Sequence, residues 1–82
     1  MGTKSFTREE VFLLRLYKFL TERNIESCPI NEIVEPLGLS KIQARTIIQT
    51  LAHINFVKRV EGKEIAITSN GRTLAENLLA KQ

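Results

Sequence analysis

The sequence predicts an α+β fold, mostly α, in the order helix-helix-helix-strand-strand-helix, and three observations predict it. Apolar residues recur at helical spacing between Phe12 and Leu20, between Ile30 and Leu37 and between Ala44 and Leu51. The period then changes: Phe56 to Val60 and Glu64 to Thr68 are short runs rich in Val and Ile, separated by the turn residues Glu61-Gly62-Lys63. A final apolar series, Leu74, Leu78 and Leu79, returns to helical spacing.

Each element carries its own start and stop signals. Thr7-Arg8-Glu9-Glu10 is a capping box, so the first helix covers residues 7–23. At about 100° per residue its core arc of Phe12, Leu13, Leu16, Tyr17, Phe19 and Leu20 spans roughly 160°. Val11 and Leu14 fall outside that arc and are expected at the surface, where they offer a contact face for a second subunit. Asn24 to Pro29 reads as a loop that ends in a helix-stopping proline. A short second helix, 30–37, buries Ile30, Ile33, Val34 and Leu37 and ends at Gly38. Ser40 caps the third helix, 40–54, and Asn55 tolerates the left-handed conformation that ends it. Two helices joined through Gly38-Leu39-Ser40 form a helix-turn-helix. The hairpin covers 56–68, with Ile65 and Ile67 on its buried face, and Thr68 or Ser69 opens the last helix, 69–80.

Composition limits the function classes. With 82 residues, 43% of them apolar and 26% charged, the chain reads as a single folded domain over 1–82 with a small core, a size at which association often adds stability. The net charge is +3, and residues 38–64 hold five basic side chains (Lys41, Arg45, Lys58, Arg59, Lys63) against two acidic ones, whereas residues 1–37 hold five against six. The excess positive charge therefore sits on the helix-turn-helix and hairpin, which suits a nucleic-acid partner. Cys28 is the only cysteine and His53 the only histidine. No internal disulfide and no Cys/His metal set can form, and a reducing cytoplasmic setting is expected. No apolar run approaches the roughly 20 residues needed to cross a bilayer, and Phe6 stands where a myristoylation signal would have Ser or Thr. One histidine and no aspartate give no nucleophile, base and orienting acid, so no enzyme is expected.

The order of elements, together with short stretches of sequence, resembles the winged helix-turn-helix superfamily. Gly38-Leu39-Ser40 followed by Ala44, Ile47, Ile48 and Leu51 resembles its turn and recognition helix. Asn55-Phe56-Val57 stands where these proteins often have Gly-Leu-Val or Gly-Leu-Ile before the first wing strand, and Ile67-Thr68-Ser69-Asn70-Gly71-Arg72 is similar to the Leu-Thr-x-x-Gly-Arg segment of MarR-like and PadR-like regulators. The resemblance covers residues 7–80 and implies a winged helix-turn-helix with a short wing. Many DNA-binding members have a longer, Arg-rich wing; here the tip is only Glu61-Gly62-Lys63. MarR-like regulators also carry extra terminal helices that build a dimer and hold a ligand, whereas here only one helix precedes the helix-turn-helix and one short helix follows the wing, so no small-molecule ligand is expected; no cofactor is expected either.

On a helical wheel the third helix turns Ile42, Arg45, Thr46, Gln49 and His53 away from Leu51, and no Asp or Glu occurs from Lys41 to Asn55. Arg45 matches guanine O6 and N7, Gln49 matches adenine N6 and N7, and Ile42 or Thr46 matches a thymine methyl. Ser40, Lys41 and Gln43 suit phosphates at the helix start, and Lys58, Arg59 and Lys63 suit phosphates beside the wing. His53 reads as a surface residue near the helix end, Cys28 as an inert loop thiol, and Tyr17 as a core residue with its hydroxyl outward.

Two functional classes follow. The first is a sequence-specific double-stranded DNA-binding transcriptional regulator, repressor-like, cytoplasmic and nucleoid-associated. It acts as a homodimer through Val11, Leu14 and Leu79 on half-sites about 34 Å apart or a multiple of that. The second is a winged-helix protein-interaction module, favoured by the short wing and by apolar Ile42, Val11 and Leu14.

Overall fold

The computed structural model describes residues 6–80. Their elements are α1 (Arg8–Arg23), β1 (Ser27–Pro29), α2 (Asn31–Leu37), α3 (Lys41–His53), β2 (Val57–Val60), β3 (Glu64–Ile67) and α4 (Ser69–Ala80). The strands form one antiparallel sheet in the order β1-β3-β2.

The first helix opens on the capping box: the Glu10 N–H donates to Thr7 Oγ1 at 3.1 Å and the Thr7 N–H donates to Glu10 Oε1 at 2.9 Å. It ends at Asn24, left-handed with φ 54°. Phe12, Leu13 and Leu16 are wholly buried because α1 is the central post of the fold, packed by α2, α3, α4 and β3. Four neighbours bury a wider arc than one apolar stripe does, and Leu14, expected at the surface, is 8% exposed and part of the core. It is therefore not available as a dimer contact. Val11 stays exposed. The Tyr17 hydroxyl does not simply point to water: it donates to Glu76 Oε2 at 3.1 Å and ties α1 to α4.

The segment expected as a loop contains a strand. Ser27, Cys28 and Pro29 pair with Ala66, Ile65 and Glu64, and Ser27 Oγ donates to Glu64 Oε1 at 2.7 Å. Three residues without apolar alternation give no strand signal, and Pro29 is tolerated because β1 lies at a sheet edge. Cys28, opposite Ile65, is buried in the core rather than lying in a loop. Its thiol is pushed up from 9.0 to about 11, first by burial, then by the carboxylates of Glu64 and Glu32, with Arg23 acting against them.

Gly38 (φ 67°) ends α2, with its N–H donating to the carbonyls of Val34 and Glu35, and the chain turns into α3. Asn55 (φ 64°) turns the chain out of α3. Ile54 lies within about 60° of Leu51 on a helical wheel, yet it is 47% exposed, because the helix stops at His53 and Ile54 already departs from helical geometry at ψ 12°. In the hairpin turn both Glu61 (φ 48°) and Gly62 (φ 75°) are left-handed, so the turn uses a second such residue besides the glycine.

The start of α4 is locked to the end of α3. The Thr68 hydroxyl donates to the Asn55 carbonyl and accepts from the Gly71 N–H, while the Thr68 N–H donates to the Phe56 carbonyl at 3.1 Å. A Cβ on Gly71 would collide with that Phe56 carbonyl oxygen and stand 2.8 Å from Ile67 Cγ1. Glycine is required there by close approach rather than by torsion.

Two predictions follow from this packing. Gly71→Ala destabilises the fold by at least about 2 kcal/mol in urea unfolding, although Gly→Ala in an open helix position stabilises; unchanged stability contradicts the packing described. For Cys28, a group that holds its proton more tightly when folded adds stability below its unfolded value and loses it as pH rises through the folded value. Stability therefore declines between pH 9.0 and about 11, and Cys28→Ala removes part of that decline. A native-minus-variant difference that is flat across the window contradicts the assignment.

Candidate nucleic-acid interface

The third helix is amphipathic, and its burial fixes which side chains reach outward. Ala44, Ile47, Ile48 and Leu51 are all 6% exposed or less, whereas Ile42 is 79% exposed and Arg45, Thr46, Gln49 and His53 are exposed with it. The Leu51 carbonyl accepts the Phe56 N–H at 2.8 Å, which ties the helix end to the start of β2. With no acidic residue in α3, the outer face presents donors, amides and one aliphatic side chain.

At its N-terminus the structure adds a second capping box. The Gln43 N–H donates to Ser40 Oγ at 3.1 Å, and the Ser40 N–H donates to Gln43 Oε1 at 3.0 Å. The Gln43 side chain, expected at phosphates, is thus half-buried and held by its oxygen, with only its amide N–H groups left to point at a ligand. The Ser-x-x-Gln spacing carried that signal. The backbone N–H groups of Lys41 and Ile42, in the first turn, have no partner inside the helix. They face the same end as the exposed Lys41 side chain.

The expected wing residues separate. Side chains alternate across a strand, and Arg59, opposite Ile65, projects on the core side of the sheet with Val57, whereas Lys58, opposite Ala66, projects on the far side. Arg59 consequently joins α3: Arg45, Gln49, Ala52, His53 and Arg59 line one shallow, open depression. Lys58 does not. Lys63 is exposed in the hairpin turn, its carbonyl accepting the Ile30 N–H at 2.9 Å, which ties the turn to the entry of α2. His53 and Ala52 were missing from the expected contact set. The spacing 45, 49, 52 and 53 is one helical line and would have found them.

The remaining dimer candidates lie on different helices, α1 and α4. Val11 opens onto a groove lined by Phe6, Leu37, Gly38 and Leu39 together with polar Arg8 and Gln43, and half-buried Leu79 follows Glu76, the partner of Tyr17, on α4. Among the described residues no group of three or more His, Cys, Asp or Glu is placed to hold a metal ion. No helix among them is long and apolar enough to cross a membrane.

No protein-family model matches this sequence, and no curated protein matches it. Solved structures do resemble it. T. acidophilum IdeR superposes with a TM-score of 0.77 at 19% identity, over 96% of this chain and 36% of that one. The MarR family transcriptional regulator SPO1453 from Silicibacter pomeroyi DSS-3 gives 0.68 at 22% identity, over 87% of this chain and 52% of that one. SSV1 F-93 gives 0.68 at 19% identity, over 99% and 91%. The chain thus spans about a third and about half of the first two proteins. These likenesses establish the fold: four helices and a three-stranded antiparallel sheet arranged as a winged helix-turn-helix.

Proposed function

We propose that this chain is a sequence-specific double-stranded DNA-binding protein that regulates transcription as a homodimer, by occupying its site and blocking access. One observation carries the reading: the outer face of α3 exposes Ile42, Arg45, Thr46 and Gln49 without a single carboxylate. An ordinary solvated helix mixes both signs of charge, and a carboxylate facing DNA phosphate would be repelled. Arg45 and Gln49 have the donor geometry to read guanine and adenine edges, and Ile42 and Thr46 supply apolar contact to thymine methyls. Ser40, Lys41 and Gln43 approach phosphates at the helix start, Arg59 and Lys63 do so from the wing, and Lys58 contributes only through long-range attraction. The likeness to the MarR family transcriptional regulator SPO1453 is in keeping with this reading.

The homodimer would place two copies of α3 in successive major grooves. Val11 and Leu79 remain its candidate contacts. A second reading, docking of a protein partner on α3, is favoured by the 79% exposure of Ile42. The two separate by salt: phosphate contacts release counterions, and an apolar contact does not.

Fluorescence anisotropy with a labelled pool of random duplexes tests the reading. The native chain binds at low salt and loses affinity by orders of magnitude between roughly 50 and 200 mM. The double variant Arg45→Ala, Gln49→Ala loses sequence preference and binds about tenfold or more weakly. Absence of binding by the native chain at low salt refutes the proposal and points to a protein partner. Sedimentation of the protein with a selected site gives two chains per duplex; one chain per duplex refutes the homodimer.

A further inference from the structure

A groove of about 260 Å³ lies where α1, the end of α3 and α4 meet. Leu51, exposed Ile54 and half-buried Phe56 and Leu74 give it an apolar lining. Among the described residues, the charged groups that line it are the carboxylates of Glu9 and Glu10, in the first turn of α1. One Glu10 oxygen already accepts the Thr7 N–H at 2.9 Å, and no cation lines the groove. An apolar hollow edged by carboxylates is complementary to an aliphatic side chain flanked by cations. The chain carries such a side chain. Ile42, in the first turn of α3, is 79% exposed, with Lys41 and Arg45 near it and no acidic residue in the helix. The other exposed aliphatic side chains do not fit: Val11 follows Glu10 and Ile25 precedes Glu26, so carboxylates would meet the carboxylates of the groove. Ile42 cannot fill the groove of its own chain, because it lies roughly 14 Å along the α3 axis from Leu51 and on the opposite side of that helix. Only a second copy can bring the two together.

We propose that Ile42 of one copy seats in this groove of a second copy, with Lys41 and Arg45 meeting Glu9 and Glu10, so that chains associate head to tail through a face that DNA must displace. Displacement by DNA rests on the DNA-binding reading above; the contact between copies does not. The two surfaces that meet are different patches of the chain, so the contact is heterologous and leaves a free Ile42 at one end and a free groove at the other. Association therefore continues with concentration instead of stopping at a pair. It is distinct from a symmetric dimer through Val11 and Leu79. A chain whose Lys41, Ile42 and Arg45 are docked on a neighbour cannot offer them to a duplex, which makes self-association and DNA binding mutually exclusive.

The test is sedimentation velocity without DNA, at low salt and over roughly 0.05 to 1 mM chain, since a contact of this size is weak. It uses the native chain and the variants Ile42→Asp and Ile54→Arg, each first shown to melt like the native chain; both positions are exposed. The mean mass of the native chain rises with concentration, and each variant alone loses that rise, its association weakened about tenfold or more. Ile42→Asp keeps an intact groove and Ile54→Arg an intact Ile42, so an equimolar mixture associates again and stops at one such contact per pair of chains. A native chain whose mass does not rise overturns the proposal, as does a rise that either variant retains or a mixture that fails to associate. A short random duplex added to the native chain reverses the rise; a rise that persists while the duplex is bound overturns the exclusion of DNA. Ile54→Arg, whose α3 face is intact, binds the duplex pool; if neither it nor the native chain binds, the DNA reading fails, and the contact between copies is judged by the mixture alone.

Discussion

Everything that places the candidate interface depends on the joint where α3 gives way to β2. Two consecutive carbonyls, those of Asn55 and Phe56, accept from the hydroxyl and the N–H of Thr68, and the Phe56 N–H returns to the Leu51 carbonyl. Gly71 packs its bare Cα against the Phe56 oxygen. One joint thereby fixes the end of α3, the start of β2, the end of β3 and the first turn of α4. Because β2 starts from this joint, exposed Arg59 lines the same open depression as His53 and Gln49.

The second constraint is the burial of α1. A domain of this size has little apolar surface, and making one helix the post for the other three helices and β3 concentrates it in one core. The same choice takes Leu14 into the core and leaves Val11 at the edge of a groove. On α3 the outcome is complementary: four aliphatic side chains face inward, and the polar line from Arg45 to His53 is held outward on a rigid helix rather than a loop. Rigid presentation lowers the ordering cost of binding, which suits a surface that must match the spacing of base edges.

Much of the fold was legible because its signals are local. The Thr7 and Ser40 caps, Gly38, Asn55 and the change of period after Phe56 each act within a few residues. What escaped was set by distant partners. Ser27-Cys28-Pro29 becomes a strand only because Ala66, Ile65 and Glu64 lie beside it. Leu14 is buried by elements that come later in the chain, and Ile54 is exposed because the helix stops one residue before it. The outer face of α3 was readable from helical periodicity. The separation of Lys58 from Arg59 required the strand register, since neighbouring basic residues look alike until the sheet assigns them to opposite faces.

The central claim is that DNA lies against the outer face of α3 and the adjoining β2. Chemical-shift mapping of the isotope-labelled chain against a duplex tests it most directly. The account predicts that perturbations concentrate at Ser40 to Thr46, at Gln49, Ala52 and His53, and at Arg59, while Lys58, Tyr17 and the exposed side of α4 stay unmoved. Perturbations centred on α1 or α4, or none at low salt, would contradict it.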